Sequence, residues 1–78
     1  MERITLKSAI ELLQADERPT VAIVERRKGF GLAVSGNVIR SQREDELTFL
    51  TYDAAIRYAG RHLAPQLSVP LLISVQLP

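Results

Sequence analysis

The chain has 78 residues, no cysteine, and a formal net charge of +1 from ten Lys and Arg against nine Asp and Glu. This length predicts a single domain, residues 1–78, and the absence of cysteine excludes disulfides, thiolate nucleophiles and sulfur ligands for a metal. The near-neutral charge excludes a strong overall attraction to nucleic acid, and no apolar run approaches the ~20 residues of a membrane-spanning helix.

The composition favours a folded protein of the cytoplasm. Hydrophobic residues make up 46% of the chain and charged residues 24%, a globular and not a disordered balance. The first residues lack the basic stretch and apolar segment of a secretion signal, and an absence of cysteine suits a reducing compartment. Because so small a domain buries a limited share of its surface, we expect self-association to stabilise it.

The first segment predicts an amphipathic helix. Thr5 is the expected N-cap, and Pro19 disfavours helical geometry just before it. The apolar residues of this segment fall on one helical face: Leu6, Ala9, Ile10 and Leu13.

Three strand segments follow, in a predicted meander: 20–25, 30–35 and 38–40. Turn signals separate them at Arg26–Gly29 and at Gly36–Asn37. The polar segment Ser41–Glu46 is expected to be an exposed loop.

A second helix and a final strand complete the pattern. Thr51 is the expected N-cap of the helix and Ala64–Pro65 its end. The tail from Leu67 to Leu77 alternates between bulky apolar and smaller or polar residues, which predicts a half-buried strand whose first part, with Pro70, lies at an edge or in a loop. The helical stripe consists of Tyr52, Ala55, Ile56, Ala59 and Leu63.

These elements predict an α+β domain in the order α-β-β-(β)-α-β, with a small, mostly antiparallel sheet and both helices on one face. The order of strands in the sheet stays open, because sequence patterns do not determine it. The expected core residues are Leu6, Ile10, Leu13, Val21, Ile23, Leu32, Val34, Ile56, Ala59, Leu63, Ile73 and Val75.

No group of residues has the pattern of a catalytic or metal site. His62, the sole histidine, has no Asp or Glu four positions away and suits a helix C-terminus. The acidic run Glu44–Glu46 lacks the spacing of a calcium loop, and Gly29–Gly31 joins two strands without the third glycine of a dinucleotide loop. We therefore predict no enzymatic activity, no cofactor and no metal.

The strongest positive cluster is Arg26, Arg27 and Lys28 at the predicted hairpin tip. Arg40 and Arg43 extend it if the meander folds back, and such a patch could contact phosphates or a protein partner. The alternative interpretation is a solvated turn that discourages edge-to-edge pairing of sheets.

The C-terminal strand is apolar and uncharged along Leu71, Ile73 and Val75. If it lies at a sheet edge, it could pair with the same strand of a second copy and join two sheets into one. The alternative is an interior strand that is already paired on both sides.

Residues 24–27, 30–34 and 47–56 resemble a layout seen in short proteins of bacterial plasmids and integrative elements. There a hairpin precedes a helix that begins with the phrase aromatic-x-Thr/Ser-x-Asp-Ala-Ala, here Phe49 to Ala55. Some of those proteins resemble the small partition-associated proteins encoded beside plasmid segregation genes. The resemblance covers about half the chain, implies a non-enzymatic accessory role, and carries no site residues with it.

The leading hypothesis is a non-catalytic accessory module that acts through protein–protein contacts as a homodimer. One alternative is a small DNA-contacting regulator that uses the basic hairpin. A second alternative is a ligand-binding domain or enzyme whose pocket the sequence does not reveal. No hypothesis requires a membrane.

Overall fold

The computed structural model describes residues 2–43 and 45–76, which form two helices and a mixed six-stranded sheet. This arrangement confirms the predicted α+β class and the helix–strands–helix–strand order. The elements are β1 (Arg3–Ile4), α1 (Leu6–Gln14), β2 (Thr20–Arg26), β3 (Gly29–Val34), β4 (Asn37–Ile39), β5 (Thr48–Phe49), α2 (Tyr52–His62), a 3₁₀ helix (Ala64–Gln66) and β6 (Leu72–Gln76).

Local sequence signals begin both helices. The Thr5 hydroxyl accepts a hydrogen bond of 3.0 Å from the Ser8 N–H at the start of α1. The Thr51 hydroxyl accepts one of 3.1 Å from the Ala54 N–H at the start of α2. Each cap satisfies an amide that has no partner inside its helix, and both predicted caps are confirmed.

The sheet has the strand order β1-β4-β3-β2-β6, with β5 beside β3. The predicted meander of β2, β3 and β4 is antiparallel, as is the pairing of β5 with β3. β1 runs parallel to β4, and β6 runs parallel to β2. The first and last strands in the chain are therefore the outer strands of the sheet, at opposite ends.

The core lies between the two helices and one face of the sheet. Val21 and Ile23 of β2 and Leu32 of β3 are completely buried there, together with residues of both helices. Because each such aliphatic side chain contributes about 1.5–3 kcal/mol when it leaves water, this layer provides most of the stability. The helices supply Ala9, Leu13, Ala55 and Ala59, and Leu63 follows directly after α2.

Three residues that the sequence predicts as core are exposed, so these predictions are wrong. Ile56 is 39% exposed on α2. Ile73 and Val75 pair with Val21 and Ile23 and so share the sheet face of the core, but they remain 38% and 46% exposed. They lie on the outermost strand, where the helices cover the sheet only in part.

The second face of the sheet carries small side chains. Val24, Ala33 and Val38 form a separate buried cluster there. A Cβ atom on Gly31 would lie 3.1 Å from Cγ of Arg26, so the aliphatic stem of that arginine runs closely past this glycine.

The two shortest strands are absent from the prediction, because two residues carry no periodicity. β5 passes close to the β2–β3 turn, where Gly29 has φ +141° and an added Cβ would collide with the Phe49 carbonyl oxygen. The predicted exposed loop is partly wrong as well. Arg40 and Glu46 form a β-bridge, and the Ser41 N–H donates to the Asp45 carbonyl, so the ends of this loop are paired.

Within the described residues, neither helix is both long enough and apolar enough to cross a membrane.

Candidate functional site

The outer edge of β6 is the first candidate surface. Among the described residues β6 pairs with β2 alone, and the Leu72 N–H donates to the Pro19 carbonyl over 2.9 Å. Backbone groups of successive strand residues alternate between the two edges of a strand. The N–H and C=O groups of Ile73 and Val75 therefore face away from β2, at the outer edge of the sheet.

The side chains of β6 make this edge apolar. Leu72, Ile73 and Val75 are 50%, 38% and 46% exposed, and the strand contains no charged residue. Natural edge strands are usually protected by charges, prolines or bulges, and the segment Leu72–Gln76 contains neither a charged residue nor a proline. The edge has the properties of a strand that accepts another strand.

The three residues predicted for a dimer edge have different locations. Ile73 and Val75 lie in β6, at the outer edge of the sheet. Leu71 immediately precedes the strand, is half-buried, and packs against the core. The edge therefore starts one residue later than Leu71, with Leu72 as an exposed residue that the prediction did not include.

The chain exposes more surface than is expected for a compact monomer of its mass. The chain exposes 5415 Å², whereas a monomer of 8.7 kDa is expected to expose about 4,700 Å². The radius of gyration is 11.3 Å, and the extents of 32 × 22 × 20 Å show that the molecule is longer along one axis.

The second candidate surface is the predicted basic cluster. Its residues do not form one patch, because Arg26 is engaged in an ion pair with Glu46 and the others lie elsewhere. Arg26 donates from Nε to one Glu46 carboxylate oxygen over 2.9 Å and from Nη2 to the other over 2.5 Å. Such bidentate pairs are among the stronger ion pairs. The hydrogen bond from Arg26 lowers the pKa of the Glu46 carboxyl, and the same bond raises the pKa of Arg26, so both groups are charged at neutral pH.

The other predicted basic residues lie in different places. Arg27 and Lys28 are exposed in the β2–β3 turn. Arg40 is half-buried after β4, whereas Arg43 is exposed in the loop that follows. A depression of about 540 Å³ beside the turn brings in a residue that the prediction missed, Arg3 of β1. No local signal could reveal Arg3, because it reaches this place through the pairing of β1 with β4.

Two further depressions lie on the surface, and the second shares lining residues with the first. The second, about 430 Å³, is lined by Arg40 and shares Ser41 and Leu47 with the first. The third, about 290 Å³, shares Tyr58 with the second. Its other lining residues are Phe49, Ala54, Arg57, Arg61 and His62.

Aromatic rings form a short stack at the third depression. The Tyr58 ring centre lies 5.1 Å from that of Phe49 and 4.4 Å from that of His62. Burial raises the pKa of the Tyr58 hydroxyl. Within the described residues no three potential metal ligands cluster, and the His62 ring stacks on Tyr58. Arg57 and His62 were not predicted as contact residues, although they lie on an exposed part of α2.

Comparison with known proteins does not assign a function to either candidate surface. No protein-family model, no curated protein and no solved structure matches the chain. The resemblance of residues 24–27, 30–34 and 47–56 to plasmid partition-associated proteins stays a prediction. Function is therefore argued from the β6 edge and from the basic depressions.

Proposed function

We propose that the chain is a non-catalytic accessory binding module that acts through protein–protein contacts as a homodimer, with β6 as the contact strand. One observation carries this proposal: the outermost strand of the sheet is five residues long, uncharged, and exposes three large apolar side chains. Burial of such side chains against a second copy is favourable at about 25 cal/mol per Å² of apolar surface.

The backbone favours one register of pairing. In an antiparallel pair centred on Ser74, Ile73 lies opposite the partner's Val75, and both residues present outward backbone groups. Two such pairs exchange four hydrogen bonds, each with a net contribution of about 0.5–1.5 kcal/mol. The side chains of Ile73 and the partner's Val75 then meet across the strands and bury their exposed area.

Antiparallel pairing of β6 with β6 of a second copy also limits the assembly to a dimer. The two-fold axis stands perpendicular to the sheet, so both helical layers lie on the same side of one continuous sheet. Because each protomer uses the same surface, the association stops at two. Pairing of β6 with β1 of a second copy would instead leave an open edge at each step and produce fibres.

Analytical ultracentrifugation tests the dimer directly. A dilution series from about 1 mM to 1 µM covers association free energies of about −4 to −8 kcal/mol, and we expect a monomer–dimer equilibrium within it. Ile73→Pro removes an outward N–H without removing a bond to β2, and we expect it to be monomeric throughout.

The matched control is Ile73→Val, which keeps the N–H and most of the apolar side chain and should remain dimeric. A native chain that sediments as a monomer at every concentration contradicts the proposal. An Ile73→Pro chain that is as dimeric as the native one contradicts the role of β6.

The cellular setting is part of the proposal. The resemblance supports an accessory role for a plasmid or integrative element in the bacterial cytoplasm. The genes that flank this one test it. Neighbouring segregation or transfer genes support the assignment, whereas a conserved metabolic operon around the gene contradicts it.

A further inference from the structure

Positive charge is concentrated on one region of the surface, although the net charge is only +1. The three depressions, of which the second shares lining residues with each of the other two, are together called the basic track. Among the described residues that line the track, seven are Lys or Arg and two, Asp45 and Glu46, carry a carboxylate. The opposite charges of Arg26 and Glu46 offset each other in their bidentate pair, which leaves six cations and the carboxylate of Asp45.

A fourth depression shows the opposite balance. It lies between the end of α1 and the segment before β6, and Asp16 and Glu17 line it together with uncharged residues. The near-neutral total therefore conceals a separation of charge. A strand of phosphates is attracted to the basic track and repelled from the acidic depression.

The aromatic stack lies at one end of the basic track. The Tyr58 ring contacts both the Phe49 ring and the His62 ring, at interplanar angles of 51° and 40°. His62 is exposed and lines the same depression as the exposed arginines Arg57 and Arg61. A basic groove combined with aromatic or imidazole rings is the arrangement by which proteins hold single-stranded nucleic acid, because phosphates bind the cations and bases stack on rings.

We propose that the basic track binds a single strand of nucleic acid. The cations of the β2–β3 turn and of α2 contact successive phosphates, and a base stacks at His62. A single strand fits better than a duplex, because the track is a series of depressions and a duplex is read by elements that project into its grooves. No residue of the track belongs to β6, so this inference is independent of the homodimer.

Fluorescence anisotropy with a labelled, mixed-sequence single-stranded oligonucleotide of about 20 nucleotides tests the proposal, in about 50 mM salt where phosphate contacts are strong. We expect saturable binding whose logarithm of affinity falls with the logarithm of salt concentration. The slope should be about −0.7 for each phosphate contact, or about −3 for four contacts.

Two double variants probe the ends of the track. We expect Arg57→Ala with Arg61→Ala, and separately Arg27→Ala with Lys28→Ala, to weaken binding about tenfold and to reduce the salt slope by about 1.4. The matched control is Lys7→Ala with Arg18→Ala. It removes the same charge from exposed positions outside the track and should change the affinity less than about twofold, since long-range charge is screened. Thermal unfolding of each variant confirms that it is folded.

Four outcomes overturn the inference. The first is no binding of the single strand at low salt, and the second is an equal loss in the control and track variants. The third is tighter binding of a duplex of the same sequence. The fourth is displacement by polyglutamate as effective as displacement by an unlabelled single strand, which would make the track a general site for polyanions.

Discussion

The two ends of the sheet differ in length and in charge. β1 has only two residues, Arg3 and Ile4, and the charged Glu2 precedes it. β6 has five residues, none of them charged, and its apolar side chains are exposed. Short, charged edge strands resist pairing with other chains, whereas long, uncharged ones invite it. The same sheet thus has one protected edge and one open edge.

The difference between the two edges explains how the sheet can have one open edge without adding copies indefinitely. A sheet with two open edges can add copies without limit, whereas a sheet with one can add only a single copy when the pairing is antiparallel. The protected β1 edge therefore favours a closed dimer over a fibre. The proposed dimer would also stabilise this small domain, because association of folded chains favours the folded state.

The largest expected effect comes from placing a charge on the open edge. In the Ser74-centred register, Val75→Lys sets an ammonium group against the partner's Ile73, where it loses water without gaining a partner. We expect the dimer dissociation constant to rise more than about 100-fold, equivalent to about 3 kcal/mol. Sedimentation velocity measures it, and Val75→Thr, which keeps the β-branch and no charge, is the control. A dimer that survives Val75→Lys unchanged contradicts this register.

Opposite charges on the two partners should restore association. We expect Ile73→Glu and Val75→Lys each to be monomeric alone but to form a heterodimer when mixed, because the register places residue 73 opposite residue 75 of the partner. A cross-strand pair of opposite charges contributes about 0.2–1 kcal/mol. Native mass spectrometry of the mixture distinguishes heterodimers from homodimers. Separate monomers in the mixture contradict the register.

We expect an intermediate effect, on the free energy of unfolding, when the ion pair between Arg26 and Glu46 is removed. Arg26 and Glu46 are partly buried, with 30% and 21% of their side chains exposed, and the nearby Arg3 adds to the lowering of the Glu46 pKa. We expect Glu46→Gln to reduce the free energy of unfolding by about 1 kcal/mol at pH 7. Urea unfolding measures the loss, and Asp45→Asn is the control for removing a nearby exposed carboxylate.

The contribution of Glu46 depends on pH in a defined direction. A carboxyl whose pKa is lower in the folded than in the unfolded chain stabilises the fold above the unfolded pKa of about 4.3. That stabilisation disappears as the pH falls through the folded pKa. The difference between Glu46→Gln and the native chain should therefore be present at pH 7 and vanish in acid. A difference that is constant down to pH ~2 contradicts the ion pair as its cause.

The smallest effect on the dimer dissociation constant is expected from a substitution in β1, at the protected edge of the sheet. Arg3→Val removes the charge of β1 but leaves a strand of two residues, too short to pair well with a partner. We expect the dimer dissociation constant to stay within about twofold, with no larger species, because a twofold change is only ~0.4 kcal/mol. Light scattering at high concentration checks this. Growth of higher oligomers would show that charge alone protects this edge.

The parts of the fold that follow from neighbouring residues could be predicted. The caps Thr5 and Thr51, and the meander with its turn at Gly29, depend on local periodicity and turn chemistry. The outer strands could not be predicted, because their pairing joins distant residues, such as Arg3 with Val38 and Thr20 with Leu72.

The candidate surfaces show the same limit. Alternation in the tail predicts which side chains share a face, but not whether a helix covers Ile73 and Val75. The basic turn is visible in the sequence, but the pairing of Arg26 with Glu46, twenty positions later, is not. The four-residue spacing of Arg57 and Arg61 on α2 can be recognised in the sequence. That these arginines line a depression next to Tyr58 and His62 can be recognised only in the structure.

Disulfide formation at Ser74 tests the pairing of two copies through β6. The chain has no cysteine, so Ser74→Cys introduces a single thiol on the proposed two-fold axis. Directly opposite residues in a pair without hydrogen bonds have Cα atoms about 4.5 Å apart, within the ~4.4–6.8 Å that a disulfide spans. We predict rapid conversion to a covalent dimer under mild oxidation, whereas Lys7→Cys on the exposed side of α1 should cross-link slowly. Equal cross-linking rates for the two variants would contradict pairing of two copies through β6.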